Sequence, residues 1–78
     1  MPQSVTDRVI ALAAEVFQRP VTVTDSFFDL GGDSLMAVEL CILIEEWAGQ
    51  PVDIGTLMQA ENIGAFSAHI AQLVAEPR

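Results

Sequence analysis

The sequence predicts an all-α fold, a bundle of three main helices plus one short helix, with a long loop between the first and second. Three observations carry this expectation. Apolar residues recur at spacings of three and four in separate segments, as one face of a helix requires. Those segments open on residues that cap free backbone amides, Ser4, Asp33 and Asn62, and the first two close on Pro20 or on Gly49 and Pro51. Only residues 21–24 look strand-like, and no second convincing strand exists to pair with them.

The first helix starts at Ser4, whose hydroxyl caps it, with Asp7 favourably placed in the first turn. Val5, Val9, Leu12 and Val16 mark its apolar face, and Ile10, Ala13 and Phe17 widen it. Pro20 ends the segment because it disfavours helical geometry at Arg19. Residues 21–32 lose the period and read as an ordered connection, with a short helical turn near Asp25. Phe27, Phe28 and Leu30 are expected to pin it to the bundle, and Gly31 and Gly32 supply backbone freedom before the next helix.

The second helix covers residues 34–48, capped by Asp33 and closed by Gly49 and Pro51. A short third helix or turn falls between Asp53 and Met58, weakened by Gly55. The last helix is capped by Asn62 and carries Ile63, Phe66, Ile70 and Leu73 at spacings of three, four and three. The chain reads as a single domain, 1–78, in which residues 1–3 and 76–78 are expected to fray.

The second helix is apolar on two sides. At about 100° per residue, Ala37, Leu40, Leu43, Ile44 and Trp47 gather on what is expected to be the core face. Leu35, Val38 and Ile42 fall nearly opposite, bordered by Glu39, Glu45 and Glu46. A domain this small does not bury both sides. Unless the long loop covers it, one apolar stripe rimmed by carboxylates stays partly exposed, a common mark of a docking surface.

Composition narrows the function. With 78 residues the chain holds one core, close to the lower limit for a fold without staples. A hydrophobic content of 51% argues against disorder, and the size suits a small binding domain better than a self-contained enzyme. The net charge is -8, with three arginines and no lysine, so nucleic acid and anionic membrane are not expected partners. Charge alone does not separate an acidic docking surface from simple solubility. Cys41 is the sole cysteine and reads as a small core residue, which leaves no intramolecular disulfide and no multi-cysteine metal site. No signal peptide and no membrane-length apolar run is seen, so a cytoplasmic, monomeric protein is expected. Met1 and the compact ends favour a discrete protein.

The most informative stretch is Asp29-Leu30-Gly31-Gly32-Asp33-Ser34-Leu35. A serine in the first turn of a helix is commonly only part of a cap. Ser34 follows two glycines and precedes the two-faced helix, which leaves it accessible beside backbone donors that favour a phosphate.

Phe27-Phe28-Asp29-Leu30-Gly31-Gly32-Asp33-Ser34-Leu35 resembles the attachment motif of phosphopantetheine-dependent carrier proteins, the acyl and peptidyl carriers or thiolation domains. The Gly-Gly-Asp-Ser form is most similar to peptidyl carriers of nonribosomal peptide synthesis and to some polyketide carriers. The likeness extends over nearly the whole chain and points to a free-standing peptidyl carrier of secondary metabolism.

The resemblance implies that a phosphopantetheinyl transferase moves 4′-phosphopantetheine from coenzyme A to Ser34. The thiol of that arm then holds an aminoacyl, peptidyl or acyl group as a thioester. It implies a non-catalytic protein, loaded by an adenylation enzyme or acyltransferase and emptied by downstream synthase or tailoring enzymes. Asp33 would cap the helix and help the transferase recognise it. Leu35, Met36, Val38 and Ile42 would form the apolar part of the docking face, and Glu39, Glu45 and Glu46 would meet basic partner residues. No metal is implied on the chain itself; any magnesium would sit on the transferase.

Three departures refine the match. Met36 stands where fatty-acid carriers often have an acid, and residues 54–58 are apolar and neutral where those carriers are acidic. Both favour secondary metabolism over an acyl carrier of fatty-acid synthesis. Glu61-Asn62-Ile63 replaces the common Pro-Thr-Ile, a minor change because asparagine caps as well as threonine. Two other classes compete. Gly32-Asp33-Ser34-Leu35 also spells the motif of a serine esterase family, but that chemistry needs a positioned base, and the lone His69 reads as a solvated helix residue. An unmodified helical adaptor would use the apolar stripe and have no need of Ser34.

Overall fold

The computed structural model describes residues 4–75. The ends expected to fray, residues 1–3 and 76–78, lie outside the described residues. Four helices follow one another: α1 (Val5–Phe17), α2 (Ser34–Ala48), α3 (Ile54–Gln59) and α4 (Ile63–Ala75). No strand occurs among the described residues. α1 packs against both α2 and α4, and α3 lies against α2. One buried cluster draws on every helix, with Val9 and Leu12 from α1, Leu40 and Ile44 from α2, Leu57 from α3 and Phe66 and Ile70 from α4.

α1 is capped as the sequence predicts, the Ser4 Oγ accepting the Asp7 amide at 3.1 Å. It ends before Pro20 forces it to. Gln18 adopts a left-handed conformation (φ 58°, ψ 39°), and its amide donates to the Ala14 carbonyl at 2.8 Å. That geometry closes the last turn and is more often filled by glycine.

The long connection is ordered by its own hydrogen bonds. The helical turn expected near Asp25 comes one residue later, at residues 26–30, where the Leu30 amide donates to the Ser26 carbonyl at 3.0 Å. Gly31, at φ 86°, stops that turn. The Gly31 amide donates to Phe28 O and the Gly32 amide to Phe27 O, the paired bonds that commonly finish a helix. Phe27 and Leu30 are buried and pin the segment, as expected. Phe28 does not. Its side chain is 55% exposed, because neighbouring residues of a helical turn point about 100° apart and only one can enter the core.

The strand-like stretch 21–24 and the Asp25 that follows it bond to a helix, through Val23 and Asp25, instead of to another strand. The Ile63 amide donates to Asp25 O and the Gly64 amide to Val23 O, both at 2.8 Å. The Asn62 Oδ1 accepts the Ala65 amide at 2.8 Å, so the loop and the cap together satisfy the opening amides of α4.

α2 has the predicted bounds, capped by Asp33 and ended by Gly49 at φ 72°. Its core face is carried by Ala37, Leu40, Cys41 and Ile44. Trp47 departs from expectation: it is 36% exposed, with the Arg8 guanidinium 6.0 Å from its ring centre. At that end of the bundle α1 offers Arg8 in place of an apolar side chain, so the indole faces a guanidinium and keeps part of its surface in water. α3 starts after Asp53, whose carboxylate accepts the Gly55 amide at 3.2 Å.

Candidate functional site at the start of the second helix

Ser34 is the first residue of α2 and is exposed. Its position follows from the residues just before it. Gly31 reverses the chain, Gly32 packs under the Phe27 ring, and Asp33 adopts an extended conformation (φ −129°, ψ −176°) from which its Oδ1 accepts the Met36 amide at 3.0 Å. The Ala37 amide donates to the Asp33 carbonyl at 2.9 Å, which begins the helical ladder. The amides of Ser34 and Leu35 have no acceptor among the described residues. No acid lies in the first turn of α2. An exposed hydroxyl, two free amides and the positive end of a 15-residue helix suit a phosphate bonded to that oxygen.

Among the described residues, no side chain hydrogen-bonds the Ser34 hydroxyl. His69 is half-buried on α4 and makes no bond to Ser34, so the serine lacks the paired base that an esterase requires. No group of three or more His, Cys, Asp or Glu side chains among the described residues is arranged to hold a metal ion. No helix of the described residues is long and apolar enough to cross a membrane.

The description "Phosphopantetheine attachment site" belongs to the family whose pattern matches residues 7–70. This chain is a member of that family.

It is therefore a phosphopantetheine carrier protein, and its cofactor is covalent 4′-phosphopantetheine. The carrier is 40% identical over 60 residues to a dimodular nonribosomal peptide synthase of Bacillus subtilis (strain 168), a match covering 76% of this chain and 2% of that one. It is 32% identical over 73 residues to the phenyloxazoline synthase MbtB of Mycobacterium sp. (strain MCS), covering 90% of this chain and 6% of that one. The carrier thus spans only a few per cent of the length of these relatives. Its fold is similar to that of BlmI, a type-II acyl-carrier-protein from Streptomyces verticillus involved in bleomycin biosynthesis. That likeness has a TM-score of 0.85 at 22% identity and covers 91% of this chain and 87% of the other.

Beyond the serine, the long loop leaves the second apolar face of the carrier's α2 uncovered. Leu35 is 68% exposed, Ile42 is 47% exposed, and Val38 is exposed between them. Met36 is half-buried against the core, at the edge of this stripe. Glu39 and Glu46 are exposed beside it. Glu45 turns away from the expected rim: its Oε2 accepts the Val52 amide at 2.7 Å and ties α2 to the segment that leads into α3. Among the described residues, the acidic border of the stripe is thereby narrowed to the carboxylates of Glu39 and Glu46.

Four exposed apolar residues lie outside the predicted stripe, Val23 and Phe28 on the loop, Trp47 near the end of α2 and Ile54 at the start of α3. For Phe28 the signal was present, since two adjacent phenylalanines cannot both face inward from one helical turn. Cys41 is buried, and burial, helped by the charges of Glu45 and Asp53, pushes its thiol up to about 11. It is a small core residue, as expected.

Proposed function

We propose that Ser34 is the residue that bears the 4′-phosphopantetheine, and that the carrier serves nonribosomal peptide assembly as one unit spanning residues 1–78. The observation that carries the site is the exposed Ser34 hydroxyl at the head of α2, beside two free amides. The assembly-line reading is supported by the synthase relatives at 40% and 32% identity.

In the attachment step the Ser34 oxygen forms a bond to the pantetheine-side phosphorus of coenzyme A. The bond from that phosphorus to the adenosine bisphosphate breaks, and the hydroxyl proton leaves to a base. With no base bonded to Ser34 among the described residues, a phosphopantetheinyl transferase supplies it, together with any magnesium. Asp33 holds the end of the helix through the Met36 amide, and the transferase reads that end. Once attached, the arm supplies a terminal thiol that carries an aminoacyl or peptidyl group as a thioester. The carrier itself performs no catalysis.

Leu35, Val38 and Ile42, with Met36 at their edge, form the apolar centre of the docking face for an adenylation enzyme and the enzymes downstream. Glu39 and Glu46 meet basic residues on those partners. Contacts of this kind are individually weak and salt-sensitive, which suits a carrier that releases each partner in turn. The protein acts in the cytoplasm as a monomer.

Intact mass after incubation with coenzyme A and a broad-specificity transferase tests the site. The wild type gains the mass of one phosphopantetheine and Ser34→Ala gains none. The same gain in both proteins would overturn the assignment.

A further inference from the structure

We propose that Phe27 is a positioning residue for Ser34, acting through Gly32. This rests on Ser34 being the modified residue. The two glycines before the serine do different work. Gly31 has a positive φ and reverses the chain, whereas Gly32 does not adopt that conformation. What demands glycine at position 32 is space: a Cβ there would stand 2.5 Å from two carbons of the Phe27 ring and 2.8 Å from a third. The same Phe27 accepts the Gly32 amide through its carbonyl at 3.1 Å. Ring and carbonyl therefore hold one residue from two sides.

The ring itself is anchored. Phe27 is buried and meets Phe17, the last residue of α1, edge-on at 5.4 Å and 69°. A continuous set of contacts runs from the end of α1 through Phe27 to Gly32, and then through the Asp33 cap to Ser34. Phe27 is too buried to touch a transferase. Its role is to fix the direction in which α2 begins, and so the line along which the Ser34 oxygen approaches phosphorus. Displacements of about 1 Å in such geometry can change rates up to about a hundredfold.

The experiment uses the full chain with coenzyme A and a broad-specificity transferase, at a temperature where circular dichroism finds every variant folded. Transfer kcat and KM are read by intact mass, and the Ser34 and Leu35 amides by ¹H–¹⁵N spectra. Gly32→Ala is expected to lower kcat about tenfold while KM changes less than about threefold, since the docking stripe is untouched. Phe27→Leu with Gly32→Ala makes room for the added methyl and is expected to return kcat to within about threefold of the wild type. A folded Gly32→Ala protein modified at the wild-type kcat would overturn the proposal, as would a double variant no faster than Gly32→Ala.

Should Gly32→Ala not fold, Phe27→Leu alone decides. Displaced Ser34 and Leu35 amide signals with a kcat lowered about threefold support the role, and unchanged signals and rate overturn it. A wild type that is never modified at Ser34 would instead sink the site assignment itself.

Discussion

The Gly64 amide donates to the Val23 carbonyl at 2.8 Å, and a Cβ at position 64 would stand 3.0 Å from that same oxygen. With the neighbouring bond from Ile63 to Asp25, this contact fastens the long loop to the head of α4. Helix propensity alone would make Gly64→Ala stabilising by about 1 kcal/mol. The obstructing atom is backbone, held by the bond itself, so it yields little. We expect a net loss of roughly 1 kcal/mol in urea unfolding, with faster hydrogen exchange at the Ile63 amide and at the amide of position 64. A gain in stability would mean that the loop shifts freely.

Gln18 ends α1 at φ 58°, a left-handed conformation that an L-residue with a side chain enters at a cost of about 1–2 kcal/mol. The Gln18 Nε2 recovers part of this by donating to the Glu15 carbonyl at 2.7 Å on the surface. Gln18→Gly removes the strain, loses that exposed bond and adds freedom to the unfolded chain. The balance is a gain of roughly 0.5 kcal/mol, read as a higher urea midpoint with unchanged slope. A lower midpoint would show that the side-chain bond outweighs the strain.

How much of this was legible in the sequence follows the range of each interaction. Caps act within three or four residues, so Ser4, Asp33 and Asn62 were readable, and α2 fell at its predicted bounds. The exposed Leu35, Val38 and Ile42 followed from angular spacing and the size of the domain. The misses depended on neighbours distant in sequence. Residues 21–24 carry strand-like side chains, but the carbonyls of Val23 and the following Asp25 meet a helix terminus about 40 residues on, which no local pattern announces. Trp47 sits on the geometric core face, and only the partner that α1 presents, Arg8, decides that it stays half in water. Glu45 looked like a surface acid until Val52 was found beside it.

Cys41 is expected to make stability fall in alkaline solution. Burial, with the charges of Glu45 and Asp53, raises its thiol from 9.0 to about 11. The folded state therefore holds the proton more tightly than the unfolded chain. The resulting stability is fully present below pH about 9 and is lost as pH rises through about 11. The chain has no tyrosine and no lysine, so no other side chain titrates in this window. Cys41→Ala is expected to lower stability at neutral pH by about 1 kcal/mol through the space it leaves. It should also flatten the fall between pH 9 and 11. An equally steep fall in that variant would assign the alkaline loss to another cause.

Ile42 and Ile44 stand two residues apart on α2, one 47% exposed and the other fully buried. That difference separates stability from docking. Ile44→Ala removes buried methyl groups from the core and should cost about 2–4 kcal/mol in urea unfolding. Ile42→Ala should change stability by less than about 1 kcal/mol, because much of that side chain already meets water. If the exposed stripe is where partners sit, Ile42→Ala and Leu35→Ala will raise the KM of the transferase about tenfold or more while the proteins stay folded. Glu39→Gln with Glu46→Gln should slow association at low salt, an effect that fades as ionic strength rises. Glu45→Ala should behave otherwise. Its carboxylate bonds the Val52 amide at 2.7 Å, so its loss weakens the α2–α3 connection by about 1–2 kcal/mol and leaves the salt dependence of docking unchanged. A docking surface that tolerated Leu35→Ala and Ile42→Ala with unaltered KM would move the contact to the loop and α3, where Val23, Phe28 and Ile54 are the exposed apolar residues.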